Sequence, residues 1–263
     1  MATAALAMSG IYTTRVQKAA GALPETKLLL SLWDTSASVD ENLRGFEQGN
    51  ILGKLSPTRI HDMLFRTFKQ RYTGDLHVLG ALAVLARSGL PSQSFDPILY
   101  FLTARSDRLI HDAVTDLLSG RIRSFRREIT VDETVAWLDS QMCAGNMDEP
   151  WSETTTRRVA RSLLATMRDF GLLTGVHKKS VSPVLLPVEA FAFIAFLLSR
   201  TTRSGAALLN HPDWSLFFLP EPAIDRFFAE AASERLLSYQ AAGSTARIDF
   251  PAETTEGYAR LIA

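Results

Sequence analysis

Basic side chains gather between Ser152 and Ser180. Arg157, Arg158, Arg161, Arg168, Lys178 and Lys179 are balanced there only by Glu153 and Asp169. Guanidinium and ammonium groups in such a run neutralise phosphates, and arginine also reads a guanine edge through paired hydrogen bonds. On a helix, Arg158, Arg161 and Arg168 share one broad face, with Thr154 and Thr155 at its N-terminal end. Free amides and positive potential at a helix N-terminus suit a phosphate contact. A second cluster is Arg59, Arg66, Lys69 and Arg71, and a third is Arg121, Arg123, Arg126 and Arg127. The clusters read as free of aromatic residues on which single-stranded bases would stack, so the expected ligand is duplex DNA held mostly by its phosphates. Arginine-rich faces are also common on plain solvated surfaces, and the elements around these clusters must decide.

Other chemistry is poorly supported. The stretch GNILGKL, Gly49 to Leu55, resembles a phosphate-binding loop, but only three residues separate its glycines and Leu55 stands where a magnesium-binding hydroxyl is needed. The DFG of residues 169 to 171 has no catalytic-loop motif before it. His61, His77, His111, His177 and His211 show no metal-ligand spacing and read as surface or packed residues. Cys143 lacks a nucleophile signature. Asp112, Asp116, Asp132 and Glu133 are explained by helix caps and solvated faces. The expectation is a protein that is not an enzyme and takes no cofactor or metal.

The elements that position the clusters are mostly helical, because apolar residues recur at a 3.6-residue period. ETKLLLSLWD reads as a short helix. In SPTRIHDMLFRTFKQRY, Ser56 caps, Pro57 fits the first position, and Ile60, Met63, Leu64 and Phe68 form the apolar face. DLHVLGALAVLARSGL ends at Gly89, where a left-handed cap is easily formed. PILYFLTARSDRLIHDAVTDLLSGRI reads as two helices or one bent helix. Thr130 and Glu133 make a capping box for TVDETVAWLDSQM. After the break AGNMDEP, Ser152 opens and Gly171 closes the arginine-bearing helix, whose apolar side is Val159, Leu163, Leu164, Met167 and Phe170. Helix, turn and basic helix is the order of a helix-turn-helix. Leu172-Leu173 and Val184-Leu186 then flank Gly175, His177, Lys178 and Lys179 as a small β-hairpin wing, with Pro183 expected to keep the second strand at an edge. PAIDRFFAEAASERLLSYQA reads as a further helix, and the remaining tail is weakly patterned. The fold class is therefore mainly α, with helix-turn-helix elements and a small hairpin wing. Residues 1–128 are expected to form an N-terminal helical domain. Residues 129–263 form a C-terminal helical domain carrying the winged-helix-like segment.

Composition bounds the rest. The chain has 263 residues, 46% of them hydrophobic and 21% charged, which suits a folded soluble protein. Its 28 basic and 28 acidic side chains cancel, so a polyanionic partner has to be read from local clustering. A single cysteine excludes an internal disulfide and fits a reducing cytoplasm. The first 27 residues hold Arg15 and Lys18 with no acid before Glu25, yet lack the pattern of a secretory signal, and a plain frayed terminus is expected. VSPVLLPVEAFAFIAFLLSR, residues 181 to 200, is interrupted by Pro183, Pro187 and Glu189, which favours a buried helix over a membrane span.

Three stretches in order, KLLLSLWD, NILGKLSPTRIHDMLFRTFKQRY and WSETTTRRVARSLLATMRDFGLL, the last followed by a basic turn and a proline-flanked apolar segment, resemble the BrxA family of bacterial BREX phage-defence systems. The resemblance covers roughly residues 20 to 250 and rests on helical patterns, not on a catalytic signature. It implies a mainly helical protein with helix-turn-helix elements that binds double-stranded DNA without known catalysis, with other BREX proteins as partners. Taken with the composition, the reading is a cytoplasmic accessory protein of phage defence. It would place Arg157, Arg158 and Arg161 on a DNA-facing helix and Arg59 and Arg66 on a second basic element. The alternative reading is a helical adaptor whose basic faces dock acidic surfaces of partner proteins.

Overall fold

A computed structural model describes residues 11–53, 56–182, 185–243 and 245–263. Outside them lie Lys54 and Leu55 of the glycine-rich stretch, Pro183 and Val184 of the second apolar piece, and the first ten residues of the N-terminal segment. The architecture is mainly α with small antiparallel sheets. A 3₁₀ turn, Thr14–Gln17, precedes α1 (Leu23–Ser31) and α2 (Val39–Gln48). The sequence reading missed α2, although Ser38 and Glu41 close a full capping box at its start.

The expected helix after Ser56 forms as α3 (Pro57–His61), a π-helical turn (Asp62–Phe68) and α4 (Lys69–Tyr72) in unbroken succession. Ser56 accepts from the Arg59 amide, and Ile60, Met63, Leu64 and Phe68 are buried as the spacing predicts. α5 (Leu76–Ser88) ends on Gly89 at φ 78°. α6 (Ser92–Ser106) begins before Pro97, and the chain then breaks at Asp107, whose side chain accepts from the Leu109 amide to start α7 (Arg108–Asp112). A second π-helical turn (Ala113–Leu118) leads into α8 (Ser119–Arg123). The ambiguous stretch is therefore two helical runs with an aspartate cap between them.

Next come β1 (Glu128–Ile129), α9 (Val131–Cys143) with the predicted Thr130/Glu133 capping box, and α10 (Glu153–Asp169). β2 (Leu173–Thr174) and β3 (Lys179–Val181) follow. The apolar run becomes α11 (Val188–Ser199), buried on all sides against α6, α13 (Glu221–Ser233) and α14 (Thr255–Ile262). Among the described residues no helix is long and apolar enough to cross a membrane. α12 (Gly205–Leu209) and a 3₁₀ turn, Pro212–Phe217, lie between α11 and α13.

One expectation about the C-terminal part needs correction. The helix expected through Ala241 stops at Ser233, and Ser238–Ala242 is β4, paired antiparallel with β5 (Thr245–Asp249). The weakly patterned tail therefore holds a strand and α14. Buried side chains from Tyr12 to Ile262 make one continuous cluster, and the boundary expected near residue 128 falls inside β1.

Candidate nucleic-acid interface

α10 owes its form to a strong start, a clean stop and a sharp division of faces. Ser152 accepts from the Thr155 amide at 3.3 Å, and Gly171 closes the C-terminal end at φ 80°. Thr156, Val159, Ala160, Leu163, Leu164 and Met167 are buried against α9 and the Thr14–Gln17 turn. Arg158, Arg161 and Arg168 are exposed on the opposite side. Arg158 and Arg161 have no hydrogen-bond or ion-pair partner among the described residues. Arg168 lies 3.3 Å from Asp169, and Arg157, nearer the buried edge, reaches Asp132 of α9 at 2.8 Å. The free charge on α10 is therefore concentrated at Arg158 and Arg161. The connection from α9 to α10, Ala144 to Ser152, exceeds the roughly three- to four-residue turn of a minimal helix-turn-helix.

The hairpin after α10 is present, but its strand order differs from expectation. The sheet order is β1-β3-β2, so the second hairpin strand is central and not at an edge. β3 ends at Val181, before Pro183, and the Val181 amide donates to the Arg127 carbonyl at 2.8 Å. The proline restriction thus never applies within the strand. Gly175 opens the tip at φ 88°, where a Cβ would stand 2.0 Å from the Lys178 carbonyl oxygen. Lys178 is exposed with no partner among the described residues, whereas Lys179 Nζ donates to the Val176 carbonyl at 2.9 Å.

The second cluster divides. Arg59 and Arg66 are exposed and without a partner among the described residues. Lys69 is tied to Asp40 at 2.6 Å. Arg71 is only 6% exposed, and its guanidinium donates to the carbonyls of Ala19, Ala20 and Gly21. It is fully engaged inside the protein and is withdrawn from the DNA-facing set. Arg59 and Thr155 line one open groove of about 610 Å³ with Lys18, Ser56, Thr58 and Asp62. The fold thus brings the N-terminal ends of α3 and α10 to the same groove, which no local spacing could reveal. Lys18, which the sequence places in none of the three basic clusters, joins it through its 3.1 Å contact with Asp62.

The third cluster has its own character. Arg121 pairs with Glu133 at 2.9 Å, while Arg123, Arg126 and Arg127 are exposed and unpartnered among the described residues. Phe125, in their midst, is 94% exposed. The reading of the basic clusters as free of aromatic residues is corrected by this side chain.

Several other titratable groups are engaged in contacts within the fold. His111 and His211 both approach Asp213, at 3.7 and 3.9 Å. Hydrogen bonding to Asp112 and then Asp213 pushes the His111 pKa up to about 9. Tyr12 donates to Asp112, Trp137 donates to Asp116, Arg157 holds Asp132, and Glu133 serves the α9 cap. Among the described residues no group of three or more His, Cys, Asp or Glu side chains is arranged to hold a metal ion.

The BrxA family profile matches residues 10–197, a span that includes all three basic clusters, both hairpin strands and nearly all of α11. No curated protein sequence matches significantly. The matched span covers well over half of the chain, which therefore belongs to the BrxA family and is a protein of BREX phage defence.

Proposed function

We propose that this chain is a non-enzymatic accessory protein of the BREX system that binds double-stranded DNA in the cytoplasm, alongside other BREX proteins. The segment from β1 to β3 acts as a winged helix: α10 enters the major groove and the β2–β3 hairpin rests on the adjacent backbone. The observation that carries this reading is the pair of unpartnered arginines, Arg158 and Arg161, opposite the buried stripe of α10. A β1-β3-β2 sheet with two helices between its first and second strands supports it. The groove shared by Arg59 and Thr155 adds a place for a phosphate beside the α10 N-terminus.

The test is fluorescence anisotropy of the purified protein with labelled duplex, from about 50 to 200 mM salt. Affinity should fall linearly on a log–log plot, with a slope near −0.9 for each phosphate contact. A preference for single strands at equal salt would overturn the duplex reading. Absence of duplex binding at low salt would favour the adaptor that docks acidic protein surfaces.

A further inference from the structure

The turn between α8 and β1 breaks two ordinary rules at one residue. Ser124 ends α8, and Phe125 follows in the left-handed region at φ 57°. The Phe125 amide donates to the Ile122 carbonyl and the Arg126 amide to the Arg121 carbonyl, both at 3.1 Å. This is the helix-ending pattern in which glycine is favoured, because a side chain crowds its own backbone there. The chain places glycine at the equivalent point after α5, α9 and α10: Gly89, Gly145 and Gly171. Asn50 and Arg235, both polar, follow α2 and α13. Phe218 is also left-handed, but it packs on the core. Phe125 combines the disfavoured backbone with a ring that is 94% exposed. Neither folding nor solubility gains from that combination, and such outliers point toward a contact.

The surroundings indicate the ligand's chemistry. Arg123, Arg126 and Arg127 flank Phe125 in the chain and are exposed, with no partner among the described residues. The Arg127 carbonyl accepts from Val181, the residue that ends β3, so the turn lies at the end of the sheet opposite the Val176–Lys178 tip. An exposed apolar ring in a turn that also carries three free arginines matches a base step flanked by phosphates. Resting on the duplex-binding reading above, we infer that residues 123–127 form a second DNA contact. In it Phe125 wedges against a base step, and Arg123, Arg126 and Arg127 neutralise the phosphates on either side. The protein then grips DNA at both ends of its small sheet.

The test compares four full-length proteins: wild type, Phe125→Gly, the triple Arg123→Ala/Arg126→Ala/Arg127→Ala, and Arg158→Ala/Arg161→Ala. Each is titrated onto duplex carrying 2-aminopurine, whose fluorescence rises on unstacking, and each is melted alone. Phe125→Gly should melt at or above the wild-type temperature, because glycine suits the turn. It should also bind roughly tenfold more weakly and lose the fluorescence rise. The triple variant should lower the salt slope by about two to three units. Suppose Phe125→Gly binds and unstacks as wild type does, while Arg158→Ala/Arg161→Ala still weakens binding. The second contact is then refuted and the winged-helix reading survives. No duplex binding by the wild-type protein would overturn both. Capture on phosphatidylglycerol vesicles that is lost in Phe125→Gly, with duplex binding intact, would assign the ring to a lipid surface and overturn the proposal.

Discussion

The α6–α7 junction and the outer face of α10 are both rich in basic side chains, yet they use them in opposite ways. At the junction every cation is answered. Arg105 lies 3.3 Å from Asp213, and Arg108 lies 3.2 Å from Asp112 and 2.9 Å from Asn146. His111 stands between Asp112 and Asp213, and nearby Arg71 fills three backbone carbonyls. On α10, Arg158 and Arg161 face solvent with no partner among the described residues. A buried charge without a partner is strongly destabilising, so burial enforces pairing. Exposure removes that constraint and leaves a cation available to a ligand. An arginine cluster in the sequence is thus two different objects, and burial separates them.

The largest expected effect breaks the inner set. Arg71→Ala would strand the carbonyls of Ala19, Ala20 and Gly21 in a buried place, at a loss of about 3 kcal/mol or more. Urea unfolding should show a clearly lower midpoint, and Arg71→Lys should recover little because one ammonium cannot reproduce the guanidinium fork. A midpoint equal to wild type would mean that Arg71 belongs with the free arginines after all.

The next effect is a pH dependence from the same region. The folded-state pKa of His111 is pushed up to about 9, first by its hydrogen bond to Asp112 and then by that to Asp213. A raised histidine pKa means that the folded state holds the proton more tightly than the unfolded chain. The contribution is therefore complete below about pH 6.5 and disappears as pH climbs through about 9. Its size is on the order of 3 kcal/mol. Stability measured from pH 6 to pH 10 should decline across that window in wild type and be flatter in His111→Asn. Parallel profiles for the two proteins would show that His111 does not carry the effect.

How much of this contrast the sequence disclosed follows from the range of the forces involved. The Ser56, Thr130 and Ser152 caps were legible because donor and acceptor lie three residues apart. The buried stripe of α10 was legible because helical phase is local. Arg66 and Arg71 lie on one continuous helical run, yet one is exposed and the other buried, since the segment from Ala19 to Gly21 folds over only one of them. β1 is two residues long and exists only through its pairing with β3, more than forty positions away. The groove that joins Arg59 to Thr155 likewise depends on tertiary packing. Phe125 was visible in the sequence among arginines, but its exposure and left-handed backbone were not.

Breaking the outer set should invert the result for Arg71. An Arg158→Ala/Arg161→Ala double variant leaves the stripe of Val159, Leu163 and Met167 untouched, so stability should change by less than about 0.5 kcal/mol for each substitution. Duplex affinity should fall by about 1 to 3 kcal/mol for each side chain that contacts a base edge in bidentate fashion. Melting and anisotropy on the same preparation would separate the two. Lowered melting with unchanged affinity would place these arginines in the inner class and end the DNA-facing role of α10.

The smallest effect applies the contrast to two adjacent lysines. Lys178 and Lys179 both sit by the hairpin tip, and sequence alone gives them equal weight. In the structure Lys179 Nζ is held by the Val176 carbonyl at 2.9 Å, while Lys178 is exposed with no partner among the described residues. The bond to Val176 bridges the tip that Gly175 opens, so Lys179 acts within the hairpin as the inner arginines act within the core. Lys178→Ala should therefore lower the salt slope by about one unit, equally on unrelated duplex sequences, because a phosphate contact carries no sequence information. Lys179→Ala should leave the slope near wild type, and the double variant should match Lys178→Ala alone. One unit of slope corresponds to about a three- to fourfold change in affinity between 50 and 200 mM salt, which anisotropy titrations resolve. Equal slope losses from both lysines would show that the Lys179–Val176 bond opens when DNA binds, and that pairing at the surface, unlike pairing in the core, does not keep a cation from its ligand.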